Sequence, residues 1–177
     1  MLIKKQKIMN TKNIILLDLN ATFAYPTHQN GVAWYHYTNE KVQQEEYKLA
    51  LLEQIKDCYV IMITARLDSM KEQSLMRIAE YCNGWQPHEA YFKPVRLKYR
   101  KAADWKNYVL KNYVFPIHGT ANETYLALES NSHTRQMYAK NNIKAVRVND
   151  PIIDIYSLIP DQYIPKNKSH EQSSLWE

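Results

Sequence analysis

The run IILLDLNAT begins at Ile14 and sets one carboxylate, Asp18, among Ile14, Ile15, Leu16, Leu17 and Leu19. A charge at the end of a run that should be buried needs a reason, since burying it unpaired is costly. A carboxylate held there can attack phosphorus and form an aspartyl-phosphate, which splits one hard step into two. One anion attacking another calls for a divalent cation between them. Two further apolar runs end in polar groups. VIMITAR closes on Thr64, Ala65 and Arg66, and YLALES closes on Glu129 and Ser130, with Asn131 next. Polar groups at three strand ends can converge on one site.

Convergence requires elements that place those ends together. Residues 13–19, 58–64, 124–130 and 144–148 read as strands, and EAYF near residue 90 as a short one. Between them, residues 40–57, 68–82, 100–113 and 132–142 carry helical spacing. Asp68 is the expected N-cap of the second of these helices. Strands alternating with helices predict βαβ units and a parallel sheet. The expected fold is a Rossmann-like three-layer αβα domain over residues 13–160. A basic lead (1–12) precedes it, an arm (20–39) follows its first strand, and a polar tail (161–177), read as disordered, follows it. In open parallel sheets, ligands bind outside the carboxyl ends of the strands.

Composition narrows the possibilities. Apolar residues make up 45% of the 177 and charged residues 23%, an ordinary globular balance. No apolar run approaches the length of a membrane span. The basic start leads into an apolar run too short for a signal peptide, so a cytoplasmic chain is expected. Cys58 and Cys82 are expected to be free thiols, and no cysteine or histidine cluster supports zinc. Only three glycines occur, Gly31, Gly84 and Gly119, so no phosphate-cradling glycine loop can be assembled. The net charge of +5 permits anionic partners such as nucleotides or nucleic acid.

Taken in order, LLDLNAT, VIMITAR, a lysine on a later helix and YLALES resemble the motifs of the haloacid dehalogenase-like (HAD) phosphohydrolases. The resemblance spans residues 13 to about 142. It implies an Mg²⁺-dependent phosphatase with Asp18 as nucleophile. Metal ligands would come from Asp18, Asn20, Glu129 and Ser130, with Thr64 donating to a phosphoryl oxygen. Thr22, Ala65 and Arg66 would lie along the phosphate. The segment YFKPVRLKYRKAADWKNYVLKNYV is similar to the corresponding region of the phosphatase half of phage polynucleotide kinase. That spacing makes Lys106 the motif lysine, with Lys93 and Lys101 as fallbacks. Arg100 and Lys101 would precede its helix beside the substrate.

Two departures matter. The family's second aspartate, which gives and retakes a proton, is here Asn20. Losing such a group typically slows a reaction by ~10²–10⁴-fold. The acidic pair of the fourth motif is here Glu129-Ser130. His28 or His36 offers a substitute acid. The spaces where the family inserts cap domains are too short for one. An open site suits a nucleotide or a nucleic-acid end as the phosphorylated substrate. The arm is read as an aromatic hairpin in which Trp34 and His36 face one side and Tyr35 and Tyr37 the other, either to stack bases or to pack on the domain. The alternative reading is an attenuated protein that binds a phosphorylated ligand without efficient turnover.

Overall fold

Five strands pair side by side into one all-parallel sheet in the order β3-β2-β1-β4-β5, with the unbroken apolar runs at its centre. The structure is a computed structural model and describes residues 13–25, 38–120, 124–148, 155 and 158. The strands are β1 (Ile14–Leu17), β2 (Tyr59–Leu67), β3 (Glu89–Lys93), β4 (Tyr125–Leu128) and β5 (Lys144–Val146). The central strand, β1, is buried throughout and matches Leu17 to Met62 on one side and to Leu128 on the other. A strand covered on both faces must be apolar at every position, which explains its unbroken IILL.

Alternate residues of each strand face opposite layers. Ile15, Leu17, Val60, Met62, Leu126 and Leu128 pack with Leu51, Ile55 and Ile78. These last belong to the helices α2 (Leu49–Ile55) and α3 (Lys71–Tyr81). On the other face, Ile14, Leu16, Ile61, Ile63 and Ala127 pack with Trp105, Val109, Met137 and Tyr138. These come from α4 (Ala102–Val109) and α6 (Ser132–Lys140). The result is the expected three-layer αβα fold.

Several element boundaries differ from the sequence expectation. The single helix over 40–57 is two, α1 (Asn39–Gln43) and α2, split by residues 44–48. The split lets Glu45 turn inward and lets Tyr47 stack on Phe23 at 5.1 Å. Asp68 does not cap α3. It lies in a 3₁₀ turn, Asp68–Met70, and its carboxylate accepts from the Val95 amide at 3.2 Å. The helix over 100–113 is α4 followed by a wider turn, Leu110–Val114, and a short α5, Phe115–His118. β2 runs past residue 64 to Leu67, so Thr64, Ala65 and Arg66 sit within it. Four steps from Ile63 to Leu67 match two from Tyr91 to Lys93, so those three residues form a bulge. Bulges re-aim side chains, often beside a site. The basic lead, the polar tail and residues 26–37 of the expected arm, with His28, Trp34 and His36, lie outside the described residues; the arm's first residues instead form a turn, Leu19–Phe23, with Phe23 buried in the core. Cys58 and Cys82 are buried and free, and among the described residues no helix is long and apolar enough to cross a membrane.

At the amino end of β3, Glu89 accepts from the hydroxyls of Tyr59 at 2.9 Å and Tyr91 at 2.6 Å. His118 Nε2 lies 2.6 Å from the same carboxylate. Burial alone would raise the Glu89 carboxyl. The bonds from Tyr91, His118 and Tyr59 outweigh it and hold it below its ordinary 4.5. A depressed acid stabilises the fold above its unfolded pKa and loses that contribution as pH falls through the folded one. Urea unfolding followed from about pH 5 to about pH 3 should therefore show a loss of stability that is smaller in Glu89→Gln.

Candidate functional site

The register of β1 and β4 ends on Leu17 opposite Leu128, so the next residue on each strand is an acid. The Asp18 amide bonds the Leu128 carbonyl at 3.0 Å, which locks the two acids side by side. Both are buried. Two carboxylates so placed repel unless a cation stands between them. Lys106, from α4, supplies one. Its Nζ donates to Asp18 Oδ1 at 2.6 Å and to Glu129 Oε2 at 2.5 Å. The ammonium is almost completely buried. Burial alone would lower its pKa, yet the two carboxylates raise it well above the usual lysine value. Burial pushes Glu129 up to about 7, with Asp18 adding to the rise and Lys106 opposing it.

Of the three lysines considered, Lys106 is the one that bridges the acids. Lys93 is buried and turned to the carbonyls of Lys98 and Arg100. Lys101 is exposed at the start of α4, as is Arg100 before it. What aims Lys106 is its neighbour. The Trp105 indole donates to the Thr64 carbonyl at 2.9 Å and ties α4 to the bulge of β2.

A wide helical turn, Leu19–Phe23, follows Asp18. Ala21 within it takes φ 56, a left-handed conformation unusual for alanine. The turn brings Thr22 back to Asp18. Its hydroxyl donates to Asp18 Oδ2 at 2.9 Å and accepts from the Ser130 amide at 2.9 Å. Ser130 Oγ reaches the Asn20 carbonyl at 3.3 Å. Thr22 is thus an internal brace between β1 and β4 and has no exposed surface.

Asn20 and Arg66 form a second buried network. Asn20 Oδ1 accepts from Arg66 Nη2 at 2.6 Å and from its Nε at 3.2 Å. Arg66 also pairs bidentately with Glu45 and donates to Ser74 Oγ at 2.9 Å. The Arg66 amide bonds Thr64 Oγ1 at 3.1 Å. Arg66 and Thr64 are both buried, and Ala65 is half-buried. The guanidinium therefore faces protein groups, where it fixes the orientation of Asn20.

Three further residues support the site, of which the sequence marked only Asn131, as a polar group at a strand end. Glu45 reads there as an ordinary acid of the helix expected over 40–57, and nothing local marks it as the partner of Arg66. Asn131 caps α6 through a bond from the Thr134 amide at 3.1 Å, and its own amide donates to Glu129 Oε1 at 2.9 Å. An asparagine just before a helical run is a legible cap signal. Arg135 donates to the carbonyls of Glu129 at 3.0 Å and Ser130 at 2.6 Å, one turn into the same helix.

The donors that could hold a metal are two carboxylates, the Asn20 carbonyl and Ser130 Oγ. All are oxygens, the chemistry a hard cation such as Mg²⁺ prefers, and with so few protein ligands such an ion would keep several waters. Among the described residues no three His, Cys, Asp or Glu side chains gather into a cation cage.

A chain in the solved structure of the Pnkp1/Rnl/Hen1 RNA repair complex superposes on this fold with a TM-score of 0.60 at 17% identity. The match covers 79% of this chain and 43% of that one, so the protein spans less than half the length of its structural neighbour. No family model matches the chain, and no curated protein sequence does.

Removing the bridging cation should expose the cost of two buried acids. In the presence of a chelator, Lys106→Met should lose about 3–5 kcal/mol in urea unfolding, the usual penalty for breaking a buried ion pair. Neutralising both partners in the same background, with Asp18→Asn and Glu129→Gln, should recover most of the loss.

Proposed function

We propose that the protein is a HAD-like phosphohydrolase acting on a phosphomonoester at a nucleotide or nucleic-acid end. The observation that carries this reading is the Lys106 ammonium spanning Asp18 and Glu129 at the carboxyl end of a parallel sheet. In the first step, an Asp18 oxygen bonds to phosphorus and the bond to the leaving oxygen breaks. The leaving alkoxide takes its proton from water, because Asn20 has none to give. In the second step, water attacks the phosphorus of the aspartyl-phosphate and the bond from phosphorus to the Asp18 oxygen breaks; the proton lost by that water neutralises the hydroxide left by the first step, and phosphate and the Asp18 carboxylate are freed. Lys106 and the Thr64 hydroxyl offset charge on the phosphoryl oxygens. Mg²⁺, held by Asp18, the Asn20 carbonyl, Glu129 and Ser130, would supply the charge neutralisation that lets two anions meet. The likeness to a chain of an RNA repair complex supports the choice of a nucleic-acid end over a small metabolite.

A second reading has its own observation. The Asn20 carboxamide is held by Arg66 and cannot shuttle a proton, which favours a protein that binds a phosphorylated ligand with little turnover.

The two readings separate in one assay of p-nitrophenyl phosphate hydrolysis with Mg²⁺. The hydrolase reading expects measurable wild-type turnover that Asp18→Asn abolishes. Asn20→Asp should raise kcat, by up to roughly 10²-fold, as a positioned acid–base group is restored. Wild-type phosphate binding with no turnover, and no gain in Asn20→Asp, would support the binder instead.

A further inference from the structure

The segment from Lys93 to Ala103, KPVRLKYRKAA, contains five cations and no acid. It leaves the carboxyl end of β3, the same end of the sheet that presents Asp18. Its backbone is fixed from inside. Turn bonds run from the Leu97 amide to the Pro94 carbonyl, from Lys98 to Val95 and from Arg100 to Leu97. The buried Lys93 ammonium holds the carbonyls of Lys98 and Arg100 at 3.2 and 2.9 Å. With the carbonyls turned inward, the side chains of Arg96, Lys98, Tyr99, Arg100 and Lys101 are all exposed. The Asp68 carboxylate accepts from the Val95 amide of this segment at 3.2 Å.

Aromatic rings continue the surface. Tyr99 is 87% exposed, with the Lys98 ammonium 4.9 Å from its ring centre. Tyr108 and Tyr113 are each 42% exposed and meet edge to face at 5.9 Å. Trp105 stacks behind Tyr108 at 6.0 Å. A large tyrosine left in water has no reason in the core. Cations spaced along a rigid turn with rings between them match a polyanion whose bases are free to stack.

We propose that this surface docks a single-stranded polynucleotide and leads its end toward Asp18. The inference deepens the reading of the site given above and rests on it for that last step alone. Phosphates would meet Arg96, Lys98, Arg100 and Lys101, and a base would stack on Tyr99. A duplex keeps its bases stacked on one another and offers the rings nothing. An acidic polypeptide offers charge without bases.

The test uses the full chain and a fluorescein-labelled oligouridylate without terminal phosphates, so that binding does not depend on the phosphate site. Tyr99→Ala should weaken binding about tenfold, the scale of one lost base stack, while Tyr99→Phe should retain it. The double variant Arg96→Ala/Lys98→Ala should flatten the plot of log affinity against log salt by roughly 1.4, at about 0.7 per phosphate contact on a single strand. Both variants should hydrolyse p-nitrophenyl phosphate like the wild type. Unchanged affinity in the variants would overturn the proposal. So would equal binding of a duplex, or competition by polyglutamate as strong as by oligouridylate. Binding lost in the variants, with no hydrolysis by the wild type, would sustain the docking surface and remove the hydrolase reading.

Discussion

One buried ammonium organises this protein. Adjacent parallel strands deliver Asp18 and Glu129 to the same edge in the same register, and the low-dielectric interior magnifies their repulsion. Lys106 resolves the conflict by bonding both. That contact is possible only because α4 packs over one face of the sheet through Trp105 and Val109. The bond from the Trp105 indole to Thr64 then sets how far along the sheet the helix sits. Core packing and the charge network are therefore the same constraint seen from two sides. Burial and the neighbouring Asp18 raise the Glu129 pKa, and Lys106 opposes them.

The second network is built around Arg66 and meets the first at Asn20. One atom of Asn20, its main-chain oxygen, takes a bond from Ser130, next to the acid of β4. Its side-chain oxygen faces Arg66, which Glu45 holds from the opposite side. An asparagine suits this arrangement as an acceptor. Asn20 is thus a structural joint between β1, β2 and the segment after α1. Ala21, in a left-handed conformation beside it, is part of the same tight turn that folds Thr22 back onto Asp18.

Much of this was legible in the chain. Unbroken apolar runs such as IILL and VIMIT marked strands covered on both faces, and the alternation with helices gave a parallel sheet. The ends of those runs located Asp18, Thr64 and Glu129, because an open parallel sheet exposes its carboxyl edge. Lys106 was reached through spacing within a family pattern, with Lys93 and Lys101 left open beside it. The break between α1 and α2 was not legible. A helix pattern over 40–57 is locally satisfactory, and only the pull of Arg66 on Glu45 and of Phe23 on Tyr47 divides it. The bulge that carries Thr64 to Arg66 was likewise hidden, since its two extra residues are extra only relative to β3.

The division follows from range. Periodicity, turn residues and the polar ends of apolar runs are properties of neighbours in the chain, so the sequence alone determined the fold class and the sheet edge at which Asp18 and Glu129 stand. Which lysine bridges the acids, which acid holds Arg66 and which way Asn20 points are properties of residues brought together across the sheet. Lys106 and Asp18 are 88 positions apart, and Arg66 and Asn20 are 46. Side chains of one type look alike along a chain, and only burial and distance in the folded protein tell them apart. The tertiary structure decided those partnerships because each depends on where a helix or bulge settles once the core has closed.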